Sequence, residues 1–117
     1  MPRREEEAGS VIGRTVLDAM APDAAQQLAL AQVRIAWQET VAAAGLERGG
    51  LTSRVVRVDG ETARIEASEP ILAQELTLRG EALVWAVNER MRGRPGATIV
   101  LVDLAVSVGR WGGDPRL

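Results

Sequence analysis

The chain has 117 residues, of which 46% are hydrophobic and 26% charged, and a formal net charge of −2, which together predict one globular domain with a core. It contains no Cys, His, Lys, Tyr or Phe, so the side chains that usually hold zinc or serve as general bases and nucleophiles are missing. We therefore expect no enzyme activity, no catalytic residues, no metal site, no cofactor and no small-molecule substrate.

The two ends of the chain differ in composition from its middle. Residues 1–9 mix both charge signs with Pro and Gly, which predicts a disordered N-terminal arm. Residues 109–117 are rich in Gly and Pro and are expected to form a flexible tail, which leaves residues 10–108 as the domain. The start lacks an apolar signal region, and no apolar run approaches the ~20 residues of a membrane span. We expect a cytoplasmic protein without a membrane partner.

The first predicted element is a short helix. Ser10 can cap it, and Ile12, Val16 and Met20 recur at helical spacing. Pro22 interrupts this pattern, so we expect a second helix to begin close to it.

The stretch APDAAQQLALAQVRIAWQETVAAAG, residues 21–45, carries the strongest helical pattern. One apolar stripe runs along Leu30, Val33, Trp37, Val41 and Ala44, and a second stripe lies beside it. An apolar arc this wide is typical of a helix that packs on two sides, and it predicts that Trp37 lies in the core. Gly45 fits the position that follows a helix end.

The stretch RVVRVDGETARIEA, residues 54–67, predicts a β-hairpin. Asp59 and Gly60 form a common hairpin turn. In the second strand an apolar face alternates with a polar one. In the first strand, strict alternation predicts that Arg57 faces away from Arg54.

The stretch SEPILAQELTLRGEALVWAVNERM, residues 68–91, predicts a helix that Ser68 caps and whose leucines form one stripe. Gly80 falls on that stripe. It indicates either a close approach of the helix to the sheet, which we favour, or a break into two shorter helices. Trp85 stands beside the stripe and is expected to be half-buried.

The stretch ATIVLVDLAVSV, residues 97–108, predicts a β-strand. Its first half is apolar on both faces, which is typical of a central strand. The order of elements predicts an α+β fold, a two-layer sandwich with helices on one face of a three-stranded sheet.

Five segments together resemble the DciA family of bacterial proteins over about residues 10–107. They are the Trp-acid-Val motif in AWQETV, the hairpin RVDGETARIEA, the link SEPILAQEL, the helix end WAVNERM and the strand TIVLVDLAVSV. Three features depart from the family pattern: the loop after the first long helix is longer, Leu72 replaces an aromatic residue, and the last strand is less basic.

The resemblance implies a type II KH-like fold and a non-catalytic role in DNA replication. Members of the family associate with the replicative helicase DnaB and help to load it onto single-stranded DNA. The expected partners are therefore this helicase and, more weakly, single-stranded DNA. A KH-like module that binds nucleic acid without a helicase is the alternative, although the net charge of −2 and the absence of Phe and Tyr argue against strong binding.

The arginines are the candidate nucleic-acid contacts. Arg90, Arg92 and Arg94 crowd the end of the 68–91 helix, where they either contact phosphate or simply favour the negative end of the helix dipole. Arg57 and Arg64 lie on the hairpin and would meet a nucleic-acid backbone if both faced the open side of the sheet.

The alternative for the hairpin arginines is exposure to solvent with Glu61 or Glu66 as ionic partners. The GRPG stretch, Gly93 to Gly96, matches the GxxG pattern of KH phosphate clamps but follows a helix, so we interpret it as a helix stop and turn. Trp111, in the Gly-rich tail, either folds back on the domain or anchors a partner.

Overall fold

The structure, a computed structural model, describes residues 22–109. In chain order its elements are α1 (Pro22–Ala43), β1 (Ser53–Asp59), β2 (Thr62–Ala67), α2 (Pro70–Leu78), α3 (Gly80–Met91) and β3 (Asp103–Val108). The three helices pack against a three-stranded mixed sheet, so the predicted α+β two-layer sandwich is confirmed. The predicted arm, the helix over residues 10–20 and Trp111 lie outside the described residues.

The sheet has the order β1-β2-β3. β1 and β2 are antiparallel, and the hairpin is confirmed; its two turn residues are Gly60, with a φ of 63°, and Glu61, because Asp59 is still paired with Thr62. β3 runs parallel to β2, and the chain crosses between these two strands through α2 and α3. Parallel neighbours need such a crossover, because a tight turn reverses the chain direction.

The central position predicted for the last strand is wrong, since β3 lies at an edge and β2 in the middle. The apolar run that suggested a central strand precedes β3, which starts only at Asp103. Val100 and Val102 in that run are 64% and 63% exposed, whereas Leu101 between them is buried. The run is therefore a connection with one anchored residue rather than a strand covered on both faces.

The prediction that Gly80 allows the helix to approach the sheet closely is also wrong. A Cβ added to this glycine would meet no atom within 4 Å, and the helix breaks at Arg79, which has φ −99° and ψ 15°. The break separates two short helices that each place leucines in the core, Leu72 and Leu76 from α2 and Leu83 from α3. Gly80 is the first residue of the second of these helices, directly after the break.

One core joins the helices to one face of the sheet. Its largest fully buried side chains are Trp37, Ile65, Leu72, Leu76, Val33, Val41 and Val87. Trp37 is therefore a core residue, as predicted, and its indole Nε1 donates a buried hydrogen bond of 2.9 Å to the Ser53 hydroxyl. α1 contacts both β1 and α3, which agrees with its wide apolar arc.

Side chains of α1 also cover the free edge of β1. Arg34 Nε donates to the Val55 carbonyl at 3.1 Å, and its Nη2 donates to the Val56 carbonyl at 3.1 Å. One turn later Gln38 Nε2 donates to the Ser53 carbonyl at 3.0 Å. These bonds satisfy backbone carbonyls of β1 that could otherwise accept hydrogen bonds from another strand.

None of the helices within residues 22–109 combines the length and apolarity that crossing a membrane requires.

Candidate functional site

The open face of the sheet, turned away from the helices, carries Arg54, Arg57 and Arg64. Arg54 lies opposite Glu66 and Arg57 lies opposite Arg64, and residues opposite one another in an antiparallel pair share a face. The expectation that Arg57 faces away from Arg54 is wrong, because the register shifts between Val55 and Arg57. Such a bulge adds one residue to β1 and reverses the alternation after it.

Arg57 and Arg64 converge on one carboxylate oxygen. The Nε of Arg57 lies 3.0 Å from Asp59 Oδ2, and the Nε of Arg64 lies 2.6 Å from the same atom. The hydrogen bond from Arg64, reinforced by that from Arg57, outweighs desolvation and holds the pKa of Asp59 below its ordinary value. The acidic partner of both arginines is Asp59, rather than the predicted Glu61 or Glu66.

The paired guanidiniums remain accessible to a ligand. The side chains of Arg57 and Arg64 are 63% and 50% exposed, and each contributes only its Nε to Asp59. A guanidinium has five N–H donors, so donors are left for phosphate oxygens. Beside them lies a shallow cavity of about 200 Å³ whose walls include Val56, Arg57, Arg64, Glu66, Ala105 and Ser107.

Three arginines at the end of α3 and just after it pair with acidic side chains of the helical layer. Arg94 Nη2 lies 2.6 Å from Glu39 Oε1 on α1, and Arg90 Nε lies 4.0 Å from the same oxygen. Arg92 pairs with Glu89 at 2.7 Å. The structure therefore does not gather the five candidate arginines into one surface: two lie on the open sheet face, and three lie at the end of α3 with acidic partners.

Gly93 and Gly96 form the turns that follow α3. Their φ angles are 84° and 80°, in the left-handed region, where glycine carries no steric penalty. The Arg94 amide donates to the Met91 carbonyl at 3.0 Å, which closes the first turn. The prediction of a helix stop is confirmed, and this GxxG stretch does not lie between two helices.

The helical layer exposes an aromatic side chain that was expected to be half-buried. Trp85 on α3 is 67% exposed, and Leu78 at the end of α2 is 73% exposed. The sequence held a signal for this exposure: Trp85 is two residues from both Leu83 and Val87, so it falls on the opposite side of the helix. Trp85 is therefore a surface residue rather than a half-buried one.

An apolar groove lies on the same layer, between the end of α1 and α3. Its volume is about 270 Å³, and its lining residues are Thr40, Ala43, Ala44, Arg79, Ala82, Leu83, Ala86 and Arg90. Trp85 does not line this groove, but Ala82, which does, lies one helical turn before it on α3. Small side chains form much of the wall, and a larger apolar side chain from a partner could fill the space.

Asn88, in the WAVNERM motif, has a structural role that the sequence did not indicate. Its Oδ1 accepts from the Leu101 amide at 2.9 Å, and its Nδ2 donates to the Leu101 carbonyl at 2.9 Å. This two-bond clamp ties α3 to the segment that leads into β3. It explains how Leu101 stays buried between two exposed valines.

Within residues 22–109 no three acidic side chains gather in a way that could hold a metal ion. No protein-family model, curated protein or solved structure matches this chain.

Proposed function

We propose that this chain is a non-catalytic adaptor that binds the replicative helicase of DnaB type and assists its loading onto single-stranded DNA in replication initiation. The observation that carries the proposal is the exposed Trp85 on α3, a helix that also lines an apolar groove, on the layer opposite the arginine-bearing sheet face. An adaptor needs two surfaces that can be occupied together. The proposed setting is the bacterial cytoplasm.

The helicase side of the proposal rests on the helical layer. Trp is the residue type most enriched among interface hot spots, and such residues act through pockets that exclude water. Trp85 is on the same helix as a groove of about 270 Å³, and half of the residues that line this groove are alanines. A partner that fills this groove and also covers the indole would remove a large apolar surface from water.

The DNA side of the proposal rests on Arg57 and Arg64. Two neighbouring guanidiniums fit a phosphate backbone without reading its sequence. Asp59 offsets part of their charge, and the chain as a whole carries −2, so we expect weak binding that falls steeply with salt. Weak contact suits a protein that delivers DNA to a helicase rather than retaining it.

The proposed mechanism needs no chemistry on the adaptor. Contacts to the helicase favour a ring state that admits DNA, because a partner shifts an equilibrium only through its different affinities for the two states. The arginine face meanwhile raises the local concentration of single-stranded DNA near the ring.

A KH-like module that binds nucleic acid without a helicase is the second candidate, and the direct opposition of Arg57 and Arg64 favours it. The two candidates differ in what the chain does alone. The module must bind single-stranded DNA strongly without help, whereas the adaptor needs the helicase for strong binding.

A pull-down with purified DnaB-type helicase tests the proposal. We expect the wild-type chain to associate, and Trp85→Ala to weaken association at least about tenfold, as the loss of a hot spot does. Ile71→Ala is the matched control, since Ile71 is 69% exposed on α2 and should bind like wild type. Failure of the wild-type chain to associate would refute the proposal. An equal loss of helicase association in both variants would show that Trp85 is not a specific contact.

A further inference from the structure

The two edge strands of the sheet, β1 and β3, differ in whether side chains cover their outer backbone groups. Arg34 and Gln38 occupy the outer carbonyls of β1, as described above. The outer edge of β3 has no such cover from the residues that the structure describes. An edge strand with unpaired backbone groups is a template for another strand.

The hydrogen bonds of β3 show which of its backbone groups point outward. The amides of Asp103 and Gly109 donate to Glu61 and Ala67, at 3.3 Å and 3.0 Å. In this parallel register the backbone N–H and C=O groups of the odd-numbered residues therefore point toward β2. Those of Leu104, Val106 and Val108 point outward, away from the sheet.

Only part of this outward row has a partner. The Leu104 amide donates to the Asp103 carboxylate at 2.8 Å. For the amide and carbonyl groups of Val106 and Val108 that point outward, no partner exists among residues 22–109. These four groups form an alternating row of donors and acceptors, and only an extended backbone matches that spacing.

The composition of β3 does not discourage pairing. The strand, DLAVSV, contains no Pro, no Lys and no Arg, the residues that commonly protect edges, and its only charge is Asp103. Val102, just before the strand, and Val108, its last residue, are 63% and 48% exposed. The edge is apolar and uncharged where its backbone groups are free.

We propose that β3 pairs with β3 of a second copy of this chain, antiparallel and about a two-fold axis through Ser107. This proposal is independent of the proposed function. In this register Val106 lies opposite the partner subunit's Val108, and the symmetry repeats the pair, so that the four outward groups of Val106 and Val108 on each chain are used. The product is one continuous six-stranded sheet.

Charge favours this arrangement over other pairings of the same strand. The two-fold axis places Asp103 and the partner subunit's Asp103 eight residues apart along the strand direction, about 26 Å. A parallel pairing in register would instead stack the two carboxylates side by side, which is unfavourable. The antiparallel pairing brings no like charges together.

The register predicts a site for a cross-link. Ser107 lies opposite the partner subunit's Ser107 as a non-hydrogen-bonded pair, in which the Cα atoms are about 4.5 Å apart. That separation is within the range that a disulfide bridges, about 4.4–6.8 Å. The chain has no cysteine, so a single introduced cysteine is a unique reporter.

The test compares Ser107→Cys with Thr52→Cys, a control at an exposed position away from β3. We expect Ser107→Cys to form a disulfide-linked dimer under mild oxidation at least about tenfold faster than the control, because the dimer holds the two sulfurs together. Light scattering would show that the product has twice the monomer mass of 12.5 kDa. Equal rates for the two variants would overturn the proposal.

A second measurement uses no cysteine. By sedimentation equilibrium, the average mass of the wild-type chain should rise above 12.5 kDa between about 10 μM and about 1 mM. Ser107→Lys should remain monomeric over that range, because a lysine on the edge opposes pairing, and Thr52→Lys should behave like wild type. A wild-type chain that stays monomeric throughout would overturn the proposal.

Discussion

Replacing Gly96 by Ala tests whether a single contact fixes the turn after α3 against α1. Gly96 has a φ of 80°, and a Cβ placed there would lie 2.7 Å from Leu28 Cγ. The left-handed backbone costs an alanine about 1–2 kcal/mol. The overlap with Leu28 adds a strain of about 1–3 kcal/mol. The free energy of unfolding should therefore fall by about 2–5 kcal/mol.

Gly93→Ala is the matched control. Gly93 has nearly the same φ, 84°, but a Cβ there would meet no atom within 4 Å. It should cost only the backbone term of about 1–2 kcal/mol. The difference between the two variants isolates the overlap with Leu28.

Urea unfolding followed by Trp fluorescence measures all the variants on one scale, and Trp37 is a buried reporter. Leu28→Ala combined with Gly96→Ala should recover most of the strain, which a double-mutant cycle reports as a coupling of about 0.5–3 kcal/mol. If Gly93→Ala and Gly96→Ala unfold at the same urea concentration, Leu28 moves aside without lowering the free energy of unfolding. The claim that Leu28 restricts position 96 would then be wrong.

Two further predictions concern stability. Asn88→Ala should lower the free energy of unfolding by about 2–3 kcal/mol, because both backbone groups of Leu101 lose their partner; Gln74→Ala, on the surface of α2, should change it little in the same urea assay. Asp59 has a lowered folded-state pKa, so its ion pairs stabilise the fold above the ordinary aspartate pKa, and this contribution is lost as the pH falls through the lowered value. The melting temperature of Asp59→Asn should therefore fall less steeply with decreasing pH below about pH 4 than that of the wild type. An equally steep fall in both proteins would contradict the role given to the Asp59 ion pairs.

The parts of the fold that were predicted correctly depend on local pattern. The hairpin turn that follows Asp59 has a left-handed glycine, Gly60, and the burial of Trp37 follows from an apolar stripe of helical period. Both signals lie within a short stretch of the sequence, so the rest of the chain was not needed to interpret them. The order of elements then predicted the two layers.

The errors involve relations between elements. The bulge before Arg57 depends on pairing with β2, and the edge position of β3 depends on where the chain crosses from α3. No local pattern carries this information, and the apolar run around Val100 looks the same in a strand and in an exposed connection. The break at Arg79 was one of two alternatives that Gly80 left open.

The candidate site divides in the same way. The sequence indicated which arginines could contact nucleic acid, but Glu39, which pairs with Arg94, is 55 positions away in the chain. The convergence of Arg57 and Arg64 on Asp59 follows from the bulge and was not predictable from alternation. Only the exposure of Trp85 could have been inferred from its helical position.

The central claim is that one surface holds the helicase while another holds DNA. Its most direct test is a fluorescence titration of labelled single-stranded DNA at two salt concentrations, with the chain alone, the helicase alone, and both together. The account predicts weak, salt-sensitive binding by the chain alone and much tighter DNA binding by the mixture than either protein shows separately. A mixture that binds no more tightly than the better of its two components would contradict the account.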